Sequence, residues 1–568
     1  MSKKSNAQPT RTKPIALAVC AGAIVLGSWA LYRSSNKQRT DSASTGTDGG
    51  KTEPMTLSDS DVERIKVTCS HCHEMVSPDV FPRSAWRKEM VTAYGFVRKS
   101  DLPADKIAPF EQSLKYFEDL APERFPLPDL ASQPEPDSKL TFVKRPYDPD
   151  IDRWDEPAVT HVNWVHLTSE TRPDCLVCDG LNGGVLLWRH DNSGDELELL
   201  KRLKAPGHAE VVDLDQDGHL DIVVAELGQI KPTDERVGSV EWLRQDVSTQ
   251  KFQRFTLAEN LGRVADVQAA DFDSDGDVDL IVAEFGWKDV GDLHYFENQG
   301  IEDGVPQFES TIIDDRTGTI RIEIVDIDRD GHLDFVALLT QEHEQVVAFL
   351  NDGTGDFTAE VIFDAHNCAY GCGGMTLADL DEDGDLDVLL SNGDTLDMGI
   401  YKPYNSAQWL ENRGSFPFTH HHLMELQGAY GADIGDFDGD GDQDIIAVSF
   451  LPAGLKPDAH SANHEQVALP ETLRLPSIVW LEQTGPGQFE PHTLETASCC
   501  HPTVAVTDFD GDGDPDVVIP NCTFQDNPQF PGAAGFPKSR NWITIWENQT
   551  PKAQTATREN ARSQLGAR

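Results

Sequence analysis

The chain has 568 residues, with 97 Asp and Glu against 47 Lys and Arg, for a net charge of −50 at neutral pH. That balance argues against a nucleic-acid partner, because holding phosphates requires clustered Lys and Arg. The basic residues that do cluster are Lys3, Lys4, Arg11 and Lys13, in an amino-terminal tail of residues 1–13.

Pro14 to Tyr32 follows without a single charge over 19 residues. As a helix it spans about 28 Å, close to the ~30 Å hydrocarbon core of a bilayer. Residues 14–32 are therefore expected to be a transmembrane signal anchor, with the basic end inside and the bulk of the chain periplasmic or otherwise extracytoplasmic. A cleaved signal peptide ending at Ser28-Trp29-Ala30 is the alternative. Residues 33–56, rich in Ser, Thr, Gly and charge, read as a flexible linker.

Residues 57–125 carry Cys69-Ser70-His71-Cys72-His73, a C-x-x-C-H signature of covalent haem c attachment. Two thiols at that spacing can add to the haem vinyl groups, and His73 supplies the proximal iron ligand. A zinc site would need further ligands nearby, yet the next cysteine is Cys175. A thioredoxin-like dithiol would need a βαβ context that is absent. Ser60-Asp61-Val62-Glu63 reads as a capping box opening a helix, and Ala104 to Leu120 as a closing helix. Together these segments resemble a small class I cytochrome c. The sixth iron ligand is expected to be Met90, whose plain alternative is a core methionine. Residues 126–145 are a second linker.

From Asp213 the chain repeats Asp-x-Asp-x-Asp-Gly-x-x-Asp six times, each copy followed by an apolar run. The acidic sets are Asp213, Asp215, Asp217 and Asp221; Asp271, Asp273, Asp275 and Asp279; Asp326, Asp328, Asp330 and Asp334; Asp379, Asp381, Asp383 and Asp387; Asp436, Asp438, Asp440 and Asp444; and Asp508, Asp510, Asp512 and Asp516. Carboxylates alternating on a tight turn suit calcium, a hard cation that accepts flexible oxygen coordination. An EF-hand is excluded, since its twelfth position needs Glu and here holds Val224, Val282, Ala337, Leu390, Ala447 and Ile519. The apolar runs read as buried strands.

Successive starts lie 53 to 72 residues apart, enough for a four-stranded blade. A degenerate copy from His166 to Cys178 keeps only Asp174, so residues 146–549 are expected to form seven blades around a closed ring, followed by a polar tail at 550–568. The loops and strands resemble the FG-GAP/VCBS repeats of integrin-α-type propellers. That resemblance implies about six Ca2+ ions on one face and a role in adhesion or ligand binding without inherent catalysis. The expected fold is an all-β seven-bladed propeller joined to a small all-α cytochrome c-like domain and an N-terminal transmembrane helix.

Of the remaining cysteines, Cys368 could bridge Cys372, and Cys522 could bridge Cys499 or Cys500, while Cys175 and Cys178 read as buried thiols. His161, His208, Arg263, Arg321, Cys372, Tyr430 and His501 should crowd the mouth of the central channel, but no nucleophile is paired with a base. Two functions fit: a membrane-anchored c-type cytochrome whose calcium-stabilised propeller binds a redox partner or surface ligand, or an oxidoreductase whose propeller holds a substrate or second cofactor and passes electrons to the haem.

Overall fold

The computed structural model describes residues 55–551, apart from the stretches 72–74, 126–138, 190–196, 396–399, 452–474 and 524–540 and positions 153, 155, 170, 247, 250 and 497. The expected anchor at 14–32, its linker, the tail at 552–568, and Cys72 and His73 lie outside the described residues. Among those described, no helix is long and apolar enough to cross a membrane.

Three helices come first: α1 (Asp59–Cys69), α2 (Trp86–Val97) and α3 (Phe110–Leu120). The box that opens α1 is built on Ser58 rather than Ser60. Ser58 accepts from the Asp61 N–H, and the Asp61 carboxylate accepts from the Ser58 N–H at 2.9 Å. The last helix starts at Phe110, not at 104, because Pro109 holds the residue before it out of helical geometry. Trp86 packs on Phe117 at 4.2 Å between ring centroids, and the Tyr94 hydroxyl lies 2.8 Å from Ser113 Oγ.

The rest is a ring of seven four-stranded antiparallel sheets. The inner strands are Val159–Val165, Pro206–Val212, Val264–Ala270, Thr319–Val325, Cys372–Ala378, Ala429–Gly435 and Ala505–Thr507, counted here as blades one to seven. Each second strand begins on the last Asp of a loop and is buried from end to end, as in Asp279–Glu284 and Asp444–Ser449. Strands covered on both faces read as unbroken apolar runs, which is why the sequence announced them.

Blade seven takes its outer strand, Phe142–Tyr147, from the start of the ring, pairing it with Ile543–Asn548. That strand begins ahead of the expected boundary at 146. Its sequence, with Lys144, Arg145 and Pro146, carries no strand signal, and only an edge strand tolerates such a composition. No disulfide links the described cysteines, so neither expected bridge is present.

The helices seat on the face opposite the Asp loops. Their apolar cluster runs into Ile400, Tyr401, Leu451 and Leu475, on loops at the far ends of second strands, and into Cys499, on the connection between blades six and seven. Tyr404 donates its hydroxyl to the Val80 carbonyl at 3.1 Å, and Lys99 pairs with Asp289 at 2.6 Å.

Trp480 is fully buried between blades six and seven. Trp480→Ala should therefore cost about 3–5 kcal/mol, read as a lower midpoint in urea unfolding.

Candidate cation loops and channel

The six Asp loops share one geometry. The glycine at offset five has a positive φ, from +87° at Gly218 to +101° at Gly441, which a side chain would resist. Its N–H donates to the first Asp at 2.9–3.1 Å in all six copies. The last Asp is buried and accepts a backbone N–H from the third strand: Gln245, Asn298, Asn351, Asn412, Gln483 and Asn548 donate in turn.

The turn gathers three of the four expected ligands. Carboxylate oxygens at offsets zero, two and eight lie within 4.8 Å of one another in the loops at Asp213, Asp271, Asp326 and Asp379. The offset-four residues, Asp217, Asp275, Asp330 and Asp383, point their backbone N–H groups back into the loop. Asp436 and Asp508 accept the same turn hydrogen bonds from Asp440 and Asp512. Burial, reinforced by adjacent carboxylates, pushes Asp221, Asp279 and Asp387 up to about 6, and Asp444 and Asp516 up to about 7. Asp215 Oδ1 and Asp271 Oδ1 are buried without a hydrogen-bond partner.

The residue just before the third-strand Asn or Gln faces each loop. It is Glu297, Glu411, Glu482 and Glu547 in four blades, Leu350 in blade four, and Arg244 in blade two. Arg244 Nη2 sits 2.6 Å from Asp215 and 3.0 Å from Asp217, so this loop carries its own cation. In the degenerate first blade, Thr168 donates its hydroxyl and its N–H to Asp174 at 2.8–2.9 Å, doing the work that carboxylates and turn amides share elsewhere.

Three of the seven residues expected at the channel mouth meet. Arg321 Nη1 donates to His161 Nε2 at 2.9 Å, and the His161 and His208 rings are 4.0 Å apart. A bulge at the same place in each of these inner strands turns the third residue toward the axis. Sequence reasoning missed the acids beside them, Glu210, Asp266 and Glu323, whose only signal is their place at positions three and five of inner strands. His208 Nε2 lies 2.5 Å from Glu210, Arg321 pairs with Glu323 at 2.9 Å, and Asp266 accepts the Ile322 N–H. Burial, then the neighbouring His208 and Arg321 charges, holds His161 well below the usual imidazole range; Asp266 and Glu210 raise His208 against its burial. Arg263, Cys372, Tyr430 and His501 instead serve the blade joints: Arg263 donates to the Gly286 carbonyl and His501 contacts Glu495.

Cys69 ends α1 and packs against the apolar cluster that contains Met90, which is 4% exposed. Burial pushes its thiol up to about 12.

A family model described as an FG-GAP-like repeat matches residues 213–282, 271–337 and 326–390. Over those residues the chain is similar to FG-GAP-like repeats. Structures of BBS1N in complex with ARL6DN, soaked with lead or with mercury, align with 74% of this chain and 99% of theirs, at 9% and 8% identity and TM-scores of 0.39 and 0.41. No curated protein matches the chain.

Within one FG-GAP loop the two kinds of Asp should separate in stability. Asp334→Ala strands the N–H groups of Ile327 and Asn351 and should cost about 1–3 kcal/mol in calcium-free urea unfolding, while the exposed Asp330→Ala should stay within about 0.5 kcal/mol.

Proposed function

We propose that the protein is a membrane-anchored, extracytoplasmic c-type cytochrome whose calcium-stabilised FG-GAP propeller binds a redox partner or surface ligand. The observation that carries the proposal is the C-x-x-C-H motif at the end of α1, whose first cysteine borders an apolar cluster holding a buried methionine. By donor type the residues fit haem: Cys69 and Cys72 would anchor the ring, and His73 and the Met90 thioether would ligate the iron. Bound haem would supply one-electron transfer. Phe81, Trp86 and Phe117 keep that region dry, and the Tyr404 contact to Val80 holds it against the propeller.

The loops fit calcium on the same test. Three carboxylates converge, and buried oxygens of Asp215 and Asp271 lack a partner in the protein. Haem c and calcium sites both suit an oxidising, calcium-rich exterior, consistent with an anchor at residues 14–32.

Purified protein should carry haem that survives acid-acetone extraction, and Cys69→Ala with Cys72→Ala should abolish it. Met90→Ala should lower the potential, since methionine ligation raises it. Matured protein without covalent haem would sink the cytochrome reading.

Chelation should lower the melting temperature by many degrees, because each site held at one hundred times its Kd contributes about 2.7 kcal/mol. An ion entering the loop at Asp213 must displace Arg244, so that loop should fill last in a calcium titration followed by native mass spectrometry, and Arg244→Gln should remove the lag. A melt insensitive to chelator would refute the calcium sites.

A further inference from the structure

Outside the Asp loops, blade three gathers a different set of side chains. We infer that Glu284, Asp292 and His294 form a site for one divalent transition-metal ion at the edge of a cavity on the helix-bearing face of the propeller. The inference goes beyond the cytochrome reading and does not need it.

The three residues offer donor atoms within 4.8 Å of one another. His294 Nε2 lies 3.1 Å from Glu284 Oε1, a spacing usual for two ligands of one ion. The other ring nitrogen, Nδ1, is 3.1 Å from Ser310 Oγ, which fixes the ring and leaves Nε2 for the metal. Glu284 Oε2 accepts the Gly262 N–H at 2.8 Å, holding the carboxylate in place. Glu284 is fully buried and His294 is 7% exposed, so both are rigid parts of the blade. One imidazole with two carboxylates suits zinc, iron(II) or manganese, whereas calcium takes oxygen ligands only.

The charge at this spot is incompletely answered by protein. Arg236 approaches Glu284 to 3.5 Å and Asp292 to 3.8 Å, beyond good hydrogen-bond length, and its side chain is half exposed. The corresponding acid of blade two shows what a purely structural role looks like. Glu226 spends its oxygens on the backbone N–H groups of Lys204, Ala205 and Gly228.

An independent observation points to an occupant. Asp292 and Arg236 line a cavity of about 300 Å³, together with Thr317. Thr317 is 8% exposed, yet its hydroxyl has no hydrogen-bond partner, an arrangement that costs free energy unless something polar enters the cavity. A metal held by three protein ligands keeps open positions, and the cavity gives them room for water or a small anion drawn by Arg236. Asp289, on the same wall, pairs with Lys99, just beyond the end of α2, so the cavity lies beside the helical segment.

The test uses the full chain in a Cys69→Ala, Cys72→Ala background, so that neither haem nor its thiols bind the probe and failure of the cytochrome reading leaves the result unaffected. The protein is stripped with chelator, saturated with calcium to fill the Asp loops, and titrated with zinc or cobalt(II). One equivalent should bind, with the visible cobalt spectrum of a nitrogen and oxygen donor set, and His294→Ala should lose it. Asp292→Asn, at the cavity edge and checked for an unaltered melt without zinc, should weaken binding at least tenfold, while Asp273→Ala should leave it unchanged. Absence of a zinc or cobalt equivalent, or uptake by Asp292→Asn equal to the parent, overturns the site.

Discussion

A buried carboxylate at the head of each second strand ties the propeller together. Asp334 shows the arrangement: one oxygen accepts the Ile327 N–H at the loop, the other accepts the Asn351 N–H of the third strand. One side chain thereby closes the turn and fixes the register of the hairpin that follows. Removing such a group from water is costly unless its oxygens are paired, and here the backbone pairs them. The same side chain presents an edge to the other acids of the loop, so the element that builds the blade also builds the candidate cation site.

This construction separates the two faces. Asp loops join first to second strands and occupy one end of the ring, while the connections at the opposite end vary more in length. The helices settle there, through apolar contacts to Tyr401, Leu451 and Cys499. The cavity beside Asp292 and Thr317 lies on that face as well. Chemistry proposed for this protein therefore concentrates away from the loops, whose regularity serves the ring.

The channel illustrates how a cluster of charges can satisfy itself. Arg321 answers Glu323 and His161, His208 answers Glu210, and backbone amides answer Asp266 and Asp433. Each member has a partner close by, so the group reads as a polar seam holding inner strands from several blades in register around the axis.

The sequence by itself determined the repeat, the blade number and the ring architecture, because a strand buried on both faces must be apolar throughout and a tight acidic turn must place Gly at one offset. Those are local requirements, legible one segment at a time. It also marked the C-x-x-C-H motif, whose chemistry is contained in five consecutive residues. Only the tertiary structure decided what lies between segments. The closing strand Phe142–Tyr147 is recognisable by its partner Ile543–Asn548, hundreds of residues away, and not by its own polar sequence. The carboxylates at offsets zero, two and eight are spread over nine residues of the linear motif, and the turn brings them within 4.8 Å of one another. Arg244 reaches its loop, and His294 reaches Glu284, across hairpins whose register sets the approach. Pairing across strands depends on register and twist, which no single stretch of chain encodes.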